Sequence, residues 1–269
     1  MGIIGIYLFV IGCCFGSFIN VLIYRLPLGQ SIFYPKSRCT QCNYKLKWFD
    51  NIPLISWILL GAKCRLCQSK ISINYPLVEL TTGLIFFANY FADPSIYSKL
   101  PNTLIIILGT VFSSILIALT IFDYKYLWLP KTITYGGLIL GLIFALIIDL
   151  SNNLGQFSYF INSIFSSFIG FFFFYLLSFF GSKIFKKPVM GTGDSKLAAL
   201  IGSWLGFQGL LITIWLAFFS AAIFVIFGMI LKKIKRNQKI PFGVFLSLSS
   251  LIVWQFGNQV FLRFILLRI

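Results

Sequence analysis

The chain has 269 residues, 59% of them hydrophobic and only 10% charged, where an ordinary soluble domain carries about 25% charged residues. A soluble fold of that composition could not cover its own surface, so the solvent that suits this chain is a lipid bilayer. The complete lack of histidine excludes a Ser-His-Asp triad, a Cys-His dyad and His-ligated zinc, and the net charge of +16 reads as the basic loops that orient polytopic membrane proteins rather than as a nucleic-acid surface.

The first apolar run, Ile3 to Ile23, is long enough to cross a hydrocarbon core of ~30 Å at ~1.5 Å per residue. It lacks the basic start and small-residue cleavage site of a signal peptide and is read as a retained helix. Gly12 and Gly16 within it form a GxxxG pair, a pattern of close helix packing, and Cys13 and Cys14 beside them read as packing residues.

Residues 24–74 are the one polar stretch long enough to make a folded unit outside the membrane. Cys39-Thr-Gln-Cys42 and Cys64-Arg-Leu-Cys67 form two CxxC pairs with 21 residues between them. Two such pairs supply four thiolates for a tetrahedral zinc site, a closed set that makes the metal structural. Two disulfides are disfavoured in a reducing cytoplasm, and a redox CxxC belongs at the start of a helix in a larger thioredoxin-like unit.

Apolar runs then follow at about 75–91, 101–122, 133–149, 159–182, 195–206, 209–231 and 242–266, with Gly206 and Gln208 a weak boundary between two of them. The reading is an all-α polytopic membrane protein of about eight transmembrane helices. It has three parts: a first transmembrane helix (1–23), a four-cysteine zinc loop (24–74) and a helical bundle (75–269). Among 22 basic residues, all but Lys99, Arg263 and Arg268 fall on one side of this arrangement. The positive-inside rule then puts the large loop in the cytoplasm and both termini outside.

Six acidic residues exist: Asp50, Glu79, Asp93, Asp123, Asp149 and Asp194. Asp123 ends the third span and Asp194 opens the sixth, both at the cytoplasmic level, while Asp93 and Asp149 fall at the opposite face. Ionisable groups beside a membrane span mark function more often than not. Two carboxylates within ~3 Å share one proton, and such a pair suits peptide hydrolysis: one member takes a proton from water and the other donates to the carbonyl oxygen. Gly191 and Gly193 would let a substrate strand approach the backbone. A blander reading has the two acids capping helices or pairing with Lys125 and Lys196.

Five blocks in order carry a resemblance. Gly16-Ser-Phe-Ile-Asn-Val-Leu-Ile-Tyr-Arg-Leu-Pro27 is followed by the paired CxxC loop containing Asn51-Ile-Pro-Leu-Ile-Ser-Trp57. Then come Ile73-Asn-Tyr-Pro-Leu-Val-Glu-Leu-Thr-Thr-Gly83, Met190-Gly-Thr-Gly-Asp-Ser-Lys-Leu-Ala-Ala199 and Ile240-Pro-Phe-Gly243. This pattern resembles the prepilin peptidases, bacterial type IV leader peptidases among the GxGD membrane aspartyl proteases. Lys131 stands where the family often carries a second acid, which changes the polar surroundings of Asp123.

The resemblance implies catalysis by Asp123 and Asp194 in the bacterial cytoplasmic membrane, on type IV prepilins or pilin-like secretion and competence subunits. It also implies N-methylation of the new N-terminus from S-adenosylmethionine, an activity the family links to the cysteine loop. No glycine-rich nucleotide fingerprint locates that donor. A peptidase without methyltransferase activity is the nearest alternative. An ion-coupled transporter would want acids near the midplane and repeated half-helices, and a zinc-loop scaffold would have no use for Gly191-Thr-Gly-Asp194.

Overall fold

The computed structural model describes residues 2–92, 101–151, 158–186, 190–233 and 238–266. Asp93, Lys99, Lys187, Lys235, Arg236 and Arg268 lie outside the described residues. Eight α-helices and two short 3-10 turns, Leu26–Leu28 and Trp48–Asn51, account for the regular structure among the described residues; the α-helices are α1 (Gly2–Arg25), α2 (Ile55–Leu59), α3 (Asn74–Asn89), α4 (Asn102–Tyr126), α5 (Lys131–Ser151), α6 (Ser158–Phe185), α7 (Thr192–Ile230) and α8 (Phe242–Leu266). Strands are absent there, apart from two isolated bridges, Arg38 to Lys45 and Lys63 to Lys70.

Among the described residues, five helices are long and apolar enough to cross a membrane: α1, α4, α5, α6 and α7. The chain is therefore an all-α membrane protein. Counting eight crossings requires three further segments. Helix α3 has 16 residues, about 24 Å at ~1.5 Å per residue, short of a ~30 Å core. Helix α7 has 39 residues, far more than one crossing needs, and it breaks at Gly206 (φ 63°, ψ −174°), a backbone state open essentially to glycine alone. Gly257 breaks α8 in the same way.

The chain divides into two compact units. The first is Met1–Phe91 with Gly109–Ser114, and the second is Ala92–Leu108 with Ile115–Ile269.

In the first unit, α1 packs along α3. A side-chain carbon at Gly12 would lie 2.8 Å from the Gly83 Cα, and one at Gly16 would lie 2.6 Å from the Glu79 Cα. The GxxxG pair therefore serves close backbone contact between these two helices. Cys13 is buried and packs on Gly83, the packing role expected of it, while Cys14 is exposed. Asn20 donates to the Tyr75 carbonyl at 3.0 Å. At the end of α1, Arg25 donates to the carbonyls of Ser31, Ile32 and Pro35 and so holds the start of the polar loop against the helix.

Gly16→Val is expected to destabilise this unit by about 1–3 kcal/mol, the usual range for overpacking a tight contact. Thermal unfolding in detergent should report the loss. Gly136→Ala, which meets no atom within 4 Å, should leave the transition in place.

In the second unit, α5, α6 and α8 pack on α7. Side-chain carbons at Gly170 and Gly202 would fall 2.8 Å from the Ala198 carbonyl oxygen and 2.7 Å from the Ser166 carbonyl carbon, so α6 and the first half of α7 touch backbone to backbone. Trp204 donates from its indole to the Gly137 carbonyl of α5 at 2.8 Å. Leu197 to Ile201 are all buried, and this stretch begins three residues after Asp194. At the start of α6, Asp149 accepts from the amides of Tyr159 (3.2 Å) and Phe160 (2.7 Å). Its carboxylate caps that helix from another chain segment.

Candidate active site and cysteine centre

Asp123 lies in the last turn of α4, and Asp194 in the first turn of α7. Both are buried, at 6% and 8% exposure. These positions differ electrostatically. An acid in a first turn faces unsatisfied amides and the positive end of the helix dipole, whereas one in a last turn faces unsatisfied carbonyls. The start of α8 offsets the poorer setting of Asp123, because the Val244 amide donates to Asp123 Oδ2 at 3.2 Å.

The same turn of α8 brings the two acids to a common point. The position a side-chain carbon would take at Gly243 is 2.8 Å from Asp123 Oδ2 and 3.3 Å from Asp194 Oδ1. Only a residue without a side chain leaves those carboxylates undisturbed. Sequence reasoning quoted Gly243 within a motif but gave it no part in the site; its bearing on the two acids depends on a contact between residues 120 positions apart.

The segment before Asp194 is held from two sides. Ser178 of α6 donates to the Met190 carbonyl at 3.0 Å, and a side-chain carbon at Gly193 would lie 3.1 Å from Leu129. Gly191 has open space, with nothing nearer than 3.8 Å. The two glycines thus differ: Gly193 is closed by packing, while Gly191 leaves backbone accessible beside Asp194. No lysine pairs with either acid among the described residues. Lys125 and Lys131 are exposed, Lys196 lies over the Tyr135 ring at 5.4 Å, and the ion pair formed is Arg65 with Asp50.

The four loop cysteines converge in the first unit. Their sulfurs all lie within 4.8 Å of one another, with Cys39 to Cys67 at 3.8 Å and Cys42 to Cys64 at 4.0 Å. A tetrahedron of sulfurs ~2.3 Å from a central ion has edges of about 3.8 Å, whereas a disulfide needs ~2.05 Å. The donor set therefore fits a thiolate-bound metal ion. The two knuckles are built alike. The Cys39 amide donates to Tyr44 and the Asn43 amide to Cys39; the Cys64 amide donates to Ser69 and the Gln68 amide to Cys64. Asn43 and Gln68 both turn the chain with positive φ, 56° and 57°. The Cys42 amide outweighs burial and, with the Gln41 amide and Ser69 hydroxyl, pulls the Cys39 thiol down to about 6. Ser69 lowers Cys67 as well, through its hydroxyl and amide.

Residues 10–92 match the bacterial peptidase A24 N-terminal domain, and residues 110–226 match the type IV leader peptidase family. The prepilin leader peptidase/N-methyltransferase of Myxococcus xanthus is 38% identical over 206 residues, covering 77% of this chain and 57% of that protein. The type 4 prepilin-like proteins leader peptide-processing enzyme of Escherichia coli is 33% identical, covering 89% of each. The prepilin leader peptidase/N-methyltransferase of Aeromonas salmonicida is 30% identical over 94% of this chain and 90% of its own length. No solved structure matches the chain.

Proposed function

The chain belongs to the type IV leader peptidase family, and on that premise we propose that Asp123 and Asp194 are the catalytic pair of a membrane endopeptidase that removes prepilin leaders. The observation that carries the assignment is the convergence of Asp123 Oδ2 and Asp194 Oδ1 on the side-chain position of Gly243. One carboxylate takes a proton from water, whose oxygen attacks the scissile carbonyl carbon. The protonated partner donates to the carbonyl oxygen. As the tetrahedral intermediate collapses, the C–N bond breaks and the first carboxyl returns its proton to the departing amine. Gly191 gives the substrate strand backbone to lie against, and Gly193 keeps the turn closed on Leu129.

The substrate class is a type IV prepilin or a related secretion or competence subunit, with a short basic leader followed by an apolar helix. In the proposed orientation both acids face the cytoplasmic side of the inner membrane, where leader and helix meet. That orientation rests on the basic loops. The cysteine centre takes Zn2+ with all four positions filled by Cys39, Cys42, Cys64 and Cys67, which makes the ion structural. The mature N-terminus is then methylated with S-adenosylmethionine as donor. Gly191, Asp123 and Asp194 belong to the second unit and the cysteines to the first, so the two activities draw on different units of the chain.

The test is co-expression with a tagged prepilin from the same genome, followed by mass spectrometry of the pilin N-terminus. A mature N-terminus carrying one added methyl group supports both activities. Unprocessed prepilin would sink the peptidase assignment. Cleaved but unmethylated pilin would remove the second activity.

The geometry makes a further demand on α8. Gly243→Ala places a methyl carbon against both carboxylates, and a displacement of ~1 Å at reacting groups costs about a hundredfold in rate. Cleavage by this variant should fall by about that factor with membrane levels unchanged. Full activity would show that the acids do not meet at Gly243 in the working enzyme.

A further inference from the structure

Buried hydroxyls in the second unit follow a common pattern. Thr134, Ser167, Ser203 and Ser250 each donate to a carbonyl three or four residues back along the chain, at 2.7 to 2.9 Å. Thr213 and Ser247 depart from it. Both are fully buried, and neither Thr213 Oγ1 nor Ser247 Oγ has a hydrogen-bond partner among the described residues. A buried polar group left unsatisfied is costly and rare, and where no protein group serves, the usual partner is a bound water.

Their places in the fold lie near the two acids. Ser247 follows Gly243 by four residues on α8, which puts both on one face of the helix with side-chain carbons ~5–6 Å apart. Side chains on a helix lean towards its N-terminus. That of Ser247 therefore leans over the space left by Gly243, where Asp123 Oδ2 and Asp194 Oδ1 converge. Two hydrogen bonds of ~2.8 Å through one water span up to about 5.6 Å, which matches this gap. Thr213 belongs to the part of α7 beyond the break at Gly206. That part runs antiparallel along α8: Phe218 meets Phe242 with ring centroids 5.1 Å apart, and a side-chain carbon at Gly209 would lie 3.2 Å from Asn258 Oδ1. Thr213 falls between these contacts, level with the turn of α8 from Ser247 to Ser250.

We propose that Ser247 is a positioning residue for leader cleavage: its hydroxyl holds the attacking water against the Asp123–Asp194 pair, and Thr213 holds the water that replaces it. The inference rests on the peptidase reading given above and adds the source of a reactant that reading consumes. Each cleavage uses one water. Its oxygen bonds to the carbonyl carbon, one proton passes to the ionised carboxylate, and the C–N bond breaks with its electron pair on nitrogen. The Ser247 hydroxyl keeps its own proton throughout and acts by fixing where the water oxygen sits, which sets the angle of attack. The bilayer offers no water to a peptide bond cut at the end of an apolar helix, so a hydrated site inside the bundle keeps the reactant beside the pair.

Initial rates of prepilin cleavage by the purified full chain in detergent, taken across substrate concentrations, separate kcat from KM. Ser247→Ala should lower kcat by about tenfold or more, with KM and thermal unfolding unchanged, because the substrate does not touch that hydroxyl. Thr213→Val, of nearly the same shape, should lower kcat as well, whereas Thr213→Ser keeps the hydroxyl and should retain the parental value. Ser250→Ala, which removes a hydroxyl already bonded within its own helix, should cleave as the parent does. If the parent cleaves no prepilin, the peptidase reading falls and the water site with it. If the parent cleaves and Ser247→Ala keeps its kcat, the peptidase reading stands and the water site is overturned. Equal losses in Thr213→Val and Thr213→Ser, or a raised KM or lowered unfolding temperature in Ser247→Ala, would mark these as packing positions and overturn it too.

Discussion

Asp194→Asn is expected to abolish leader cleavage, by a thousandfold or more, while the membrane helices stay folded. The amide has the shape of the carboxyl group but can neither take a proton from water nor hand one to the carbonyl oxygen, and proton transfer by a positioned group contributes about 10²- to 10⁴-fold. Asp123→Asn should fail to the same extent, because the proposed mechanism needs both groups and neither has a substitute nearby: no lysine pairs with them, and the remaining described acids are engaged elsewhere. Asp50 binds Arg65, Glu79 binds the Leu54 amide, and Asp149 caps α6. Processing can be scored as the ratio of prepilin to mature pilin in membranes, with protein level as the control. Near-normal processing by either variant would remove the pair from the reaction. Asp149→Asn is not a silent control, since it replaces one of the two carboxylate oxygens that cap α6 with an amide nitrogen; reduced thermal stability with cleavage retained is its expected signature.

Loss of the metal is the second large effect. The purified chain should contain about one zinc ion, and Ser at any one of positions 39, 42, 64 or 67 should release it. Structural zinc contributes about 10–16 kcal/mol of apparent binding free energy in small zinc-binding peptides. By contrast, the loop has two short helical turns, the five-residue α2, one ion pair whose arginine is half-exposed, and tethers from Arg25 and to Glu79 at its edges, so the metal is its largest single source of stability. Without the ion the loop loses its anchor, and if methylation draws on that loop as proposed, it should disappear at Cys64→Ser before cleavage does. Elemental analysis and the mass of the pilin N-terminus separate these outcomes. Zinc retained by a chain with all four cysteines changed to serine would mean that the ion binds elsewhere. Uncleaved prepilin from Cys64→Ser at normal membrane levels would mean that the loop also positions the leader.

Much of the molecule was legible before any coordinates. Apolar runs mark helices because every backbone group in a bilayer must find a partner within its own segment, so the positions of α4, α5 and α6 follow from hydropathy to within a few residues. The cysteine centre was legible because a CxxC knuckle is a local structure whose two ligands are fixed by four residues of sequence. Gly206 was legible as a weak boundary, and the structure supplies its reason in a backbone state that a residue with a side chain rarely adopts. The length of the runs was less informative about crossings. Helix α3 is shorter than a core is thick, and hydropathy alone could not separate a break within α7 from a loop between two spans.

The sequence by itself determined which residues could do chemistry: with no histidine and six acids, any hydrolytic pair had to be drawn from a short set, and position along the spans selected Asp123 and Asp194. It also determined the family through motifs spread over most of the chain. Only the tertiary structure decided how those acids meet and what surrounds them. The approach of Gly243 to both carboxylates, the Val244 amide on Asp123 and the closing of Gly193 by Leu129 each join residues far apart in the chain. Periodicity reports which face of a helix is apolar, because that property repeats every 3.6 residues along one segment. It carries no information on which other helix comes to rest against that face, since that depends on tertiary contacts such as glycine against backbone between α6 and α7 and the α5 glycines against the side chains of Leu200, Ser203 and Trp204 rather than on any local preference.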